Sequence, residues 1–204
     1  MKKEEKTQLT VSKILDAATA EFGGKGYRNG TINTVCRAGI NKGLVYHNFK
    51  NKDDLYLACL QRSCGKLVVF IRENACSESF PKYMRARADF LRNYPDEAHL
   101  VFEALLDPPE HLLPEIREML QELEKINETV YKNTLSAVTL RDGVTTEDAL
   151  KYFQQMQRLF NSCFNSDNYR TMTFDEKIKG HEERIPKLLD FMLYGIAKGD
   201  TCQW

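Results

Sequence analysis

Residues 31–55 read TINTVCRAGINKGLVYHNFKNKDDL and compress three helix boundaries into one short stretch. A glycine at position 39 can take the left-handed backbone that stops a helix. Two residues on, the Asn41 side chain can accept an N–H that is otherwise orphaned at a helix start. The spacing therefore predicts a helix ending at Gly39, a turn Gly39-Ile40-Asn41, and a second helix opened by Asn41. Asn51 followed by Asp54 reads as a variant of the capping box that opens a third helix, with Lys52 on its first turn. Two helices joined by a glycine-containing turn of about 3–4 residues form a helix-turn-helix, whose second helix fits the DNA major groove.

In that second helix Leu44, Val45 and Phe49 share one face at helical spacing, leaving Lys42, Gly43, Tyr46, His47 and Asn48 to point outward. A cation, a glycine that permits close approach and polar aromatics suit a DNA-facing surface. The expected division of labour sets Lys42, Gly43, Leu44, Tyr46 and Asn48 against base edges, and Thr31, Asn41, His47 and Lys52 on phosphates. His47 has a second reading, as a surface residue bonded within the motif.

Further matches lie upstream, at Ile14, Ala17-Ala18, Phe22 and Gly26-Tyr27. Through the motif run Ala38-Gly39-Ile40-Asn41-Lys42-Gly43-Leu44, Tyr46-His47, Phe49, Asn51-Lys52 and Leu55. In these residues the chain resembles the TetR family of bacterial one-component transcriptional regulators. The resemblance covers roughly residues 9–60; beyond them only the helical layout and the spacing around Tyr94-Pro95, Phe102-Glu103-Ala104-Leu105 and Pro108-Pro109 are similar. It implies an all-α fold, with a three-helix DNA-binding domain at residues 1–55 and a helical effector-binding and dimerisation domain at 56–204. It also implies a homodimer on double-stranded DNA, a small-molecule effector, and repression from a pseudo-palindromic operator. One departure is that the chain is one residue shorter than the family spacing between Gly26 and Gly39, with Thr34 and Val35 where Ile-Ala usually stand. Either the Asn29-Gly30 loop or the first helix of the motif is shortened, and the latter would shift Thr31.

Charge agrees with a polyanion partner. Residues 1–70 hold 12 Lys+Arg against 6 Asp+Glu, hence +6, whereas residues 71–204 hold 17 against 23, hence −6. A basic head suits DNA and an acidic remainder is repelled by it. The longest apolar run, Leu67 to Ile71, is far short of the ~18 residues of a membrane span. The start MKKEEKTQLT lacks the apolar core of a signal peptide, so a cytoplasmic protein is expected.

Six cysteines (Cys36, Cys59, Cys64, Cys76, Cys163, Cys202) lack C-x-x-C spacing and read as small apolar side chains kept reduced. The four histidines form no ligand pair, so neither metal nor cofactor is expected. Gly23-Gly24-Lys25-Gly26 follows a helix and reads as its terminator rather than as a phosphate loop. No catalytic constellation is visible, and an enzyme is not expected. The competing class is a helical protein that binds small molecules, or senses redox state or metal, without acting through DNA; the +6 head argues against it.

The rest reads as helix. Val11, Ile14, Leu15, Ala18 and Phe22 fall on one face, with Thr10 as cap and Gly23-Gly24 as stop. Residues 52–74 form a long helix joining head to body, a lever in the expected mechanism. Helices follow from Ser79-Phe80-Pro81 to before Pro95, from Asp96 to Leu106, from Pro114 to about Leu140, and from Thr146 to the Asn165-Ser166-Asp167-Asn168 terminator. The last spans about Phe174 to Lys198, with a restart expected at Pro186. Wide apolar faces at 150–164 and 188–196 suggest a two-fold interface, or close the subunit's own core. Phe102, Tyr131, Phe153 and Phe160 are candidates to line an effector pocket, though for any one of them ordinary core packing is the stronger reading. Glu103 or Glu128 beside it would favour a cation, or else lie on a solvated face.

Overall fold

The computed structural model describes residues 3–75, 79–164, 166, 169 and 171–194; their regular structure is helical, with no strand among them. Helices α1 (Lys3–Asn29), α2 (Ile32–Arg37) and α3 (Lys42–Asn48) make the head, and α4 (Lys52–Asn74) leads out of it. The body comprises α5 (Phe80–Asn93), α6 (Pro95–Leu106), α7 (Leu113–Ser136), α8 (Thr146–Cys163) and α9 (Phe174–Tyr194). A 3-10 turn at Glu110–Leu112 precedes α7.

Helix α4 is the spine. Leu55, Tyr56, Cys59, Leu60, Cys64, Leu67, Val68 and Ile71 recur every three or four residues and are all buried, because α1, α5, α6 and α7 pack around that stripe. One continuous core runs from Ile14 in α1 through α4 to Ile178 in α9. The boundary expected between residues 55 and 56 therefore falls inside α4, where no gap in packing marks it. A smaller second cluster gathers Tyr131, Leu135, Phe153 and Leu189.

Several element ends differ from the sequence reading. Thr10 lies inside α1, and Gly23-Gly24 do not stop that helix; the break falls at Gly26, at φ 72° and ψ 169°. Gly23 serves close approach instead, since a Cβ there would stand 2.6 Å from the Asp96 Cα, where the first turn of α6 rests on α1. Helix α7 ends at Ser136 rather than near Leu140: the Ala137 N–H closes on the Thr134 carbonyl, and β-branched Val138 and Thr139 follow. Helix α9 passes through Pro186 without a restart. At that exposed position proline removes only the one N–H that would reach back a turn, and the apolar side chains at 185 and 189 hold the helix on either side. Residues 195–198, expected to continue it, lie outside the described residues, as do Asn165, Asp167 and Asn168 of the expected α8 terminator.

The faces of α8 also divide differently. Phe153 and Phe164 are buried within the subunit, as are Ile185 and Leu189 of α9. On the other side Tyr152, Leu159, Phe191 and Tyr194 stay exposed, Leu159 at 59% and Tyr194 at 66%. Each helix thus has an inner apolar stripe and an outer apolar strip, and periodicity alone merges the two.

Candidate nucleic-acid interface and effector core

The turn forms as its residue types dictate. Gly39 adopts φ 81°, and the Asn41 side chain accepts the Gly43 N–H at 2.7 Å, so α3 starts where the asparagine satisfies it. Val45 is fully buried and Phe49 nearly so, which pins α3 to the head core. Leu44, expected to share their face, is 45% exposed instead. It therefore stands with Lys42, Gly43, Tyr46 and His47 on the outer side of α3, the side on which a DNA-facing role also put it. Tyr46 is 49% exposed, with the Lys42 ammonium 5.9 Å from its ring centre. Asn48 is half-buried, and its amide donates back to the Leu44 carbonyl at 2.8 Å, leaving its oxygen as its outward group.

Thr31 caps α2, its hydroxyl oxygen accepting the Thr34 N–H at 3.1 Å. Its own N–H donates to the Glu21 carboxylate at 3.1 Å. Burial works against that carboxylate, but Lys25 and the Thr31 N–H outweigh it and hold Glu21 below its ordinary pKa. Glu21 was not singled out from sequence, yet it fixes where α2 begins.

Asn51 caps α4 by accepting the Asp54 N–H at 2.9 Å, while Asp54 reaches back to the Lys50 N–H at 3.0 Å. The reciprocal bond thus lands one residue earlier than in a standard capping box. Lys52 is half-buried and held, 4.4 Å above the Tyr27 ring and donating to the Arg28 carbonyl at 3.3 Å. The Tyr27 hydroxyl in turn donates to Asp53 at 2.5 Å; burial, and then that carboxylate, push its pKa up to about 12. Tyr27 thereby sets the position of Lys52, a role that its place in the sequence pattern did not reveal.

Head and body meet at Glu103 on α6. Its carboxylate accepts the Tyr27 N–H at 2.7 Å and the Tyr56 hydroxyl at 3.1 Å, and burial raises its pKa. Glu103 therefore does not lie on a solvated face; it satisfies the backbone freed by the break at Gly26. Glu128 pairs with Lys132. Nearby, His111 stands 3.5 Å from Asp53.

The body encloses an ionic network. Arg87 on α5 grips Glu182 on α9 in a two-point contact of 2.9 and 2.5 Å, their side chains only 5% and 13% exposed. Burial pushes the Glu182 pKa up, but the Arg87 charge prevails and holds it at about 2. Arg87 also donates to the Tyr83 hydroxyl at 2.8 Å, and Tyr83 donates to Asn127 on α7. His181 contacts Glu182 at 3.0 Å and Asn161 on α8 at 2.9 Å.

The four candidate ligand aromatics do not gather in one place. Phe102 and Phe160 lie against the His181 ring, at 5.8 and 5.1 Å between centres, whereas Tyr131 and Phe153 pair at 5.3 Å in the second cluster. Tyr131, Phe153 and Phe160 border a shared void of about 10 Å³, the least that could hold one water. Sequence periodicity missed Arg87, Asn127, His181 and Glu182, since polar residues on mostly apolar helices carry no periodic signal.

The cysteines divide by burial. Cys59 and Cys64 are enclosed in α4, and burial pushes their thiols up to about 11 and about 12, which makes thiolate chemistry unfavourable. Cys36 is half-buried and Cys163 exposed, while Cys76 and Cys202 lie outside the described residues. No group of three or more metal-ligating side chains assembles among the described residues.

Residues 14–59 match the family described as bacterial regulatory proteins, tetR family. The chain is 33% identical over 97 residues to the HTH-type transcriptional activator FasR of Mycolicibacterium smegmatis, an alignment spanning 44% of each protein. Its fold is that of solved regulators at low identity. The fatty acid degradation regulator FadR from Bacillus halodurans superposes with a TM-score of 0.62 at 16% identity, over 91% of this chain and 99% of that one. The transcriptional regulator FadR from Bacillus subtilis, solved with stearoyl-CoA, gives 0.61 at 16% identity over the same shares. A tetR-family regulatory protein from Rhodococcus RHA1 gives 0.54 at 15% identity, over 94% of this chain and 98% of that one. The matched residues are those that build the capped turn, the outward face of α3 and the start of α4, so the likeness to the tetR family of bacterial regulatory proteins lies in the head, and the solved structures extend it as a shared fold.

Proposed function

We propose that this protein is a ligand-responsive, DNA-binding transcriptional regulator that acts as a homodimer on a pseudo-palindromic operator. The observation that carries the reading is α3 itself, anchored by buried Val45 and Phe49 while Lys42, Leu44, Tyr46 and His47 stand free on its outer side. Lys42, Gly43, Leu44, Tyr46 and Asn48 meet base edges; Thr31, Asn41, His47 and Lys52 hold phosphates. Residues 1–55 act as the DNA-binding unit and 56–204 as the effector and dimerisation unit, with α4 belonging mechanically to both.

The outer strip of Tyr152, Leu159, Phe191 and Tyr194 on α8 and α9 is the dimer contact, since so large a set of exposed apolar side chains is costly to leave in water. An effector in the body shifts DNA affinity only by favouring one spacing of the two heads. Glu103, bonded to both Tyr27 and Tyr56, carries that shift from α6 to the head. An operator overlapping a promoter makes such a protein a repressor; operator placement sets the sign, and FasR, 33% identical over 97 residues, is named an activator. No helix among the described residues is long and apolar enough to cross a membrane, in keeping with a cytoplasmic regulator. Selection from random duplex DNA with the purified protein tests the reading: a two-fold symmetric consensus is expected, and enrichment of no sequence would reject it.

A further inference from the structure

A cleft of about 220 Å³ opens between α7 and α8, outside the void that the candidate aromatics share. Its floor includes Leu105, Tyr131, Asn127 and Asn161, and the two asparagines are the outer ends of the buried network. Donor and acceptor accounting fixes what each offers to the cleft.

Arginine has donors only, so the Tyr83 oxygen accepts from Arg87, and the single Tyr83 proton must go to the Asn127 carbonyl oxygen. This orients the Asn127 amide. Its NH2 has no partner among the described residues, although the side chain is only 8% exposed and lines the cleft. A nearly buried donor is therefore turned toward that space.

The second asparagine follows from His181. Glu182 is a carboxylate and can only accept, so His181 Nδ1 carries a proton toward it. Arg87 and Glu182 already balance each other, and another buried cation would go unmatched, so the imidazole is neutral and its Nε2 accepts. Burial acts in the same direction on His181. The structure has the Asn161 Oδ1 2.9 Å from Nε2; the two amide ends are alike in shape, and an accepting Nε2 requires that amide turned over, with its NH2 end toward the imidazole. Its carbonyl oxygen then faces the cleft. The lining charges are balanced, Lys125 and Arg158 against Glu124 and Glu128, and so select no ion.

We propose that this cleft is the effector site, and that it takes a small uncharged molecule presenting a carbonyl oxygen beside an N–H, a carboxamide or lactam, on an apolar body. The carbonyl meets the Asn127 NH2, the N–H meets the Asn161 oxygen, and the apolar part lies over Leu105 and Tyr131. The assignment rests on the reading of α5–α9 as the effector body.

Calorimetric titration of the full-length protein with octanamide, using octanoate as the control of equal skeleton, tests it at neutral pH. Octanamide should bind at least tenfold more tightly. Asn127→Asp keeps an acceptor for Tyr83 but turns a carboxylate oxygen to the cleft, and should weaken octanamide at least tenfold; Lys151→Ala, at an exposed position of α8 outside the cleft lining, should change it less than twofold. Equal affinity for the two probes, no octanamide binding, or an undiminished affinity in folded Asn127→Asp protein overturns the assignment. Wild-type protein provides a check free of folding effects: the Asn127 side-chain amide signals in 15N NMR should shift with octanamide, and a shift confined to other amides overturns the proposal. A protein that selects a DNA site but fails these tests loses the cleft assignment and keeps the regulator reading, whereas one that passes them and binds no DNA does the reverse.

Discussion

Replacing Glu182 by glutamine keeps the shape of the side chain and removes its charge, which isolates the contribution of the ion pair at the centre of the body. Arg87 is almost fully enclosed, and its other bonded partner is the Tyr83 hydroxyl, so the guanidinium would be left charged with no counter-ion. Breaking a buried pair from one side costs about 3–5 kcal/mol. At roughly 2–4 °C per kcal/mol for a chain of this size, the melting temperature should fall by roughly 6–20 °C. Removing both charges should be far milder: Arg87→Met with Glu182→Leu replaces the pair by apolar volume, and such exchanges are often neutral. Urea unfolding followed by circular dichroism, at one fixed protein concentration because a dimer's stability depends on it, measures all three chains. Glu182→Gln within about 0.5 kcal/mol of wild type, the scale of a surface change, would refute the claim that this pair is buried and coupled.

Three further outcomes are expected. Tyr46→Ala should weaken binding to the selected operator more than to scrambled DNA in fluorescence anisotropy, because the exposed ring lies on the outer side of α3; equal losses on both would assign the hydroxyl to phosphate alone, and no loss would mean that α3 docks differently. Leu159→Glu, at a 59% exposed position, should leave the helical circular dichroism intact and give monomers by light scattering, whereas a mutant that stays dimeric rejects the α8 and α9 contact. Stability should also fall with acid in two stages. Between the ordinary histidine value of 6.5 and the lowered one, the unfolded chain takes the His181 proton first, so stability is lost as pH drops below 6.5. The contribution of Glu182 is whole above 4.5 and is lost as pH falls toward about 2. A urea midpoint equal at pH 7 and 5.5, or one that declines as steeply in His181→Gln, would contradict the first stage.

Local chemistry made the head legible from the chain alone. Gly39, Asn41 and Asn51 act on backbone groups within a few residues of themselves, so their spacing sets where α3 and α4 begin whatever packs around them. The same holds for Pro81 and Pro95 in the first turns of α5 and α6. Tertiary packing decided what local signals cannot encode. Gly23 reads as a helix stop until α6 is seen to need the space of its missing Cβ, and Leu44 reads as core until Val45 and Phe49 are seen to fill the face behind it. The candidate aromatics divide between two places, Phe102 and Phe160 against His181 and Tyr131 with Phe153, because a 3.6-residue period says which side chains share a helix face and not which faces meet. The network from Asn127 through Tyr83, Arg87, Glu182 and His181 to Asn161 joins α7, α5, α9 and α8 across as many as 95 residues of sequence separation. Hydrogen bonds of such range exist only once the helices are docked, and so no window of sequence contains them.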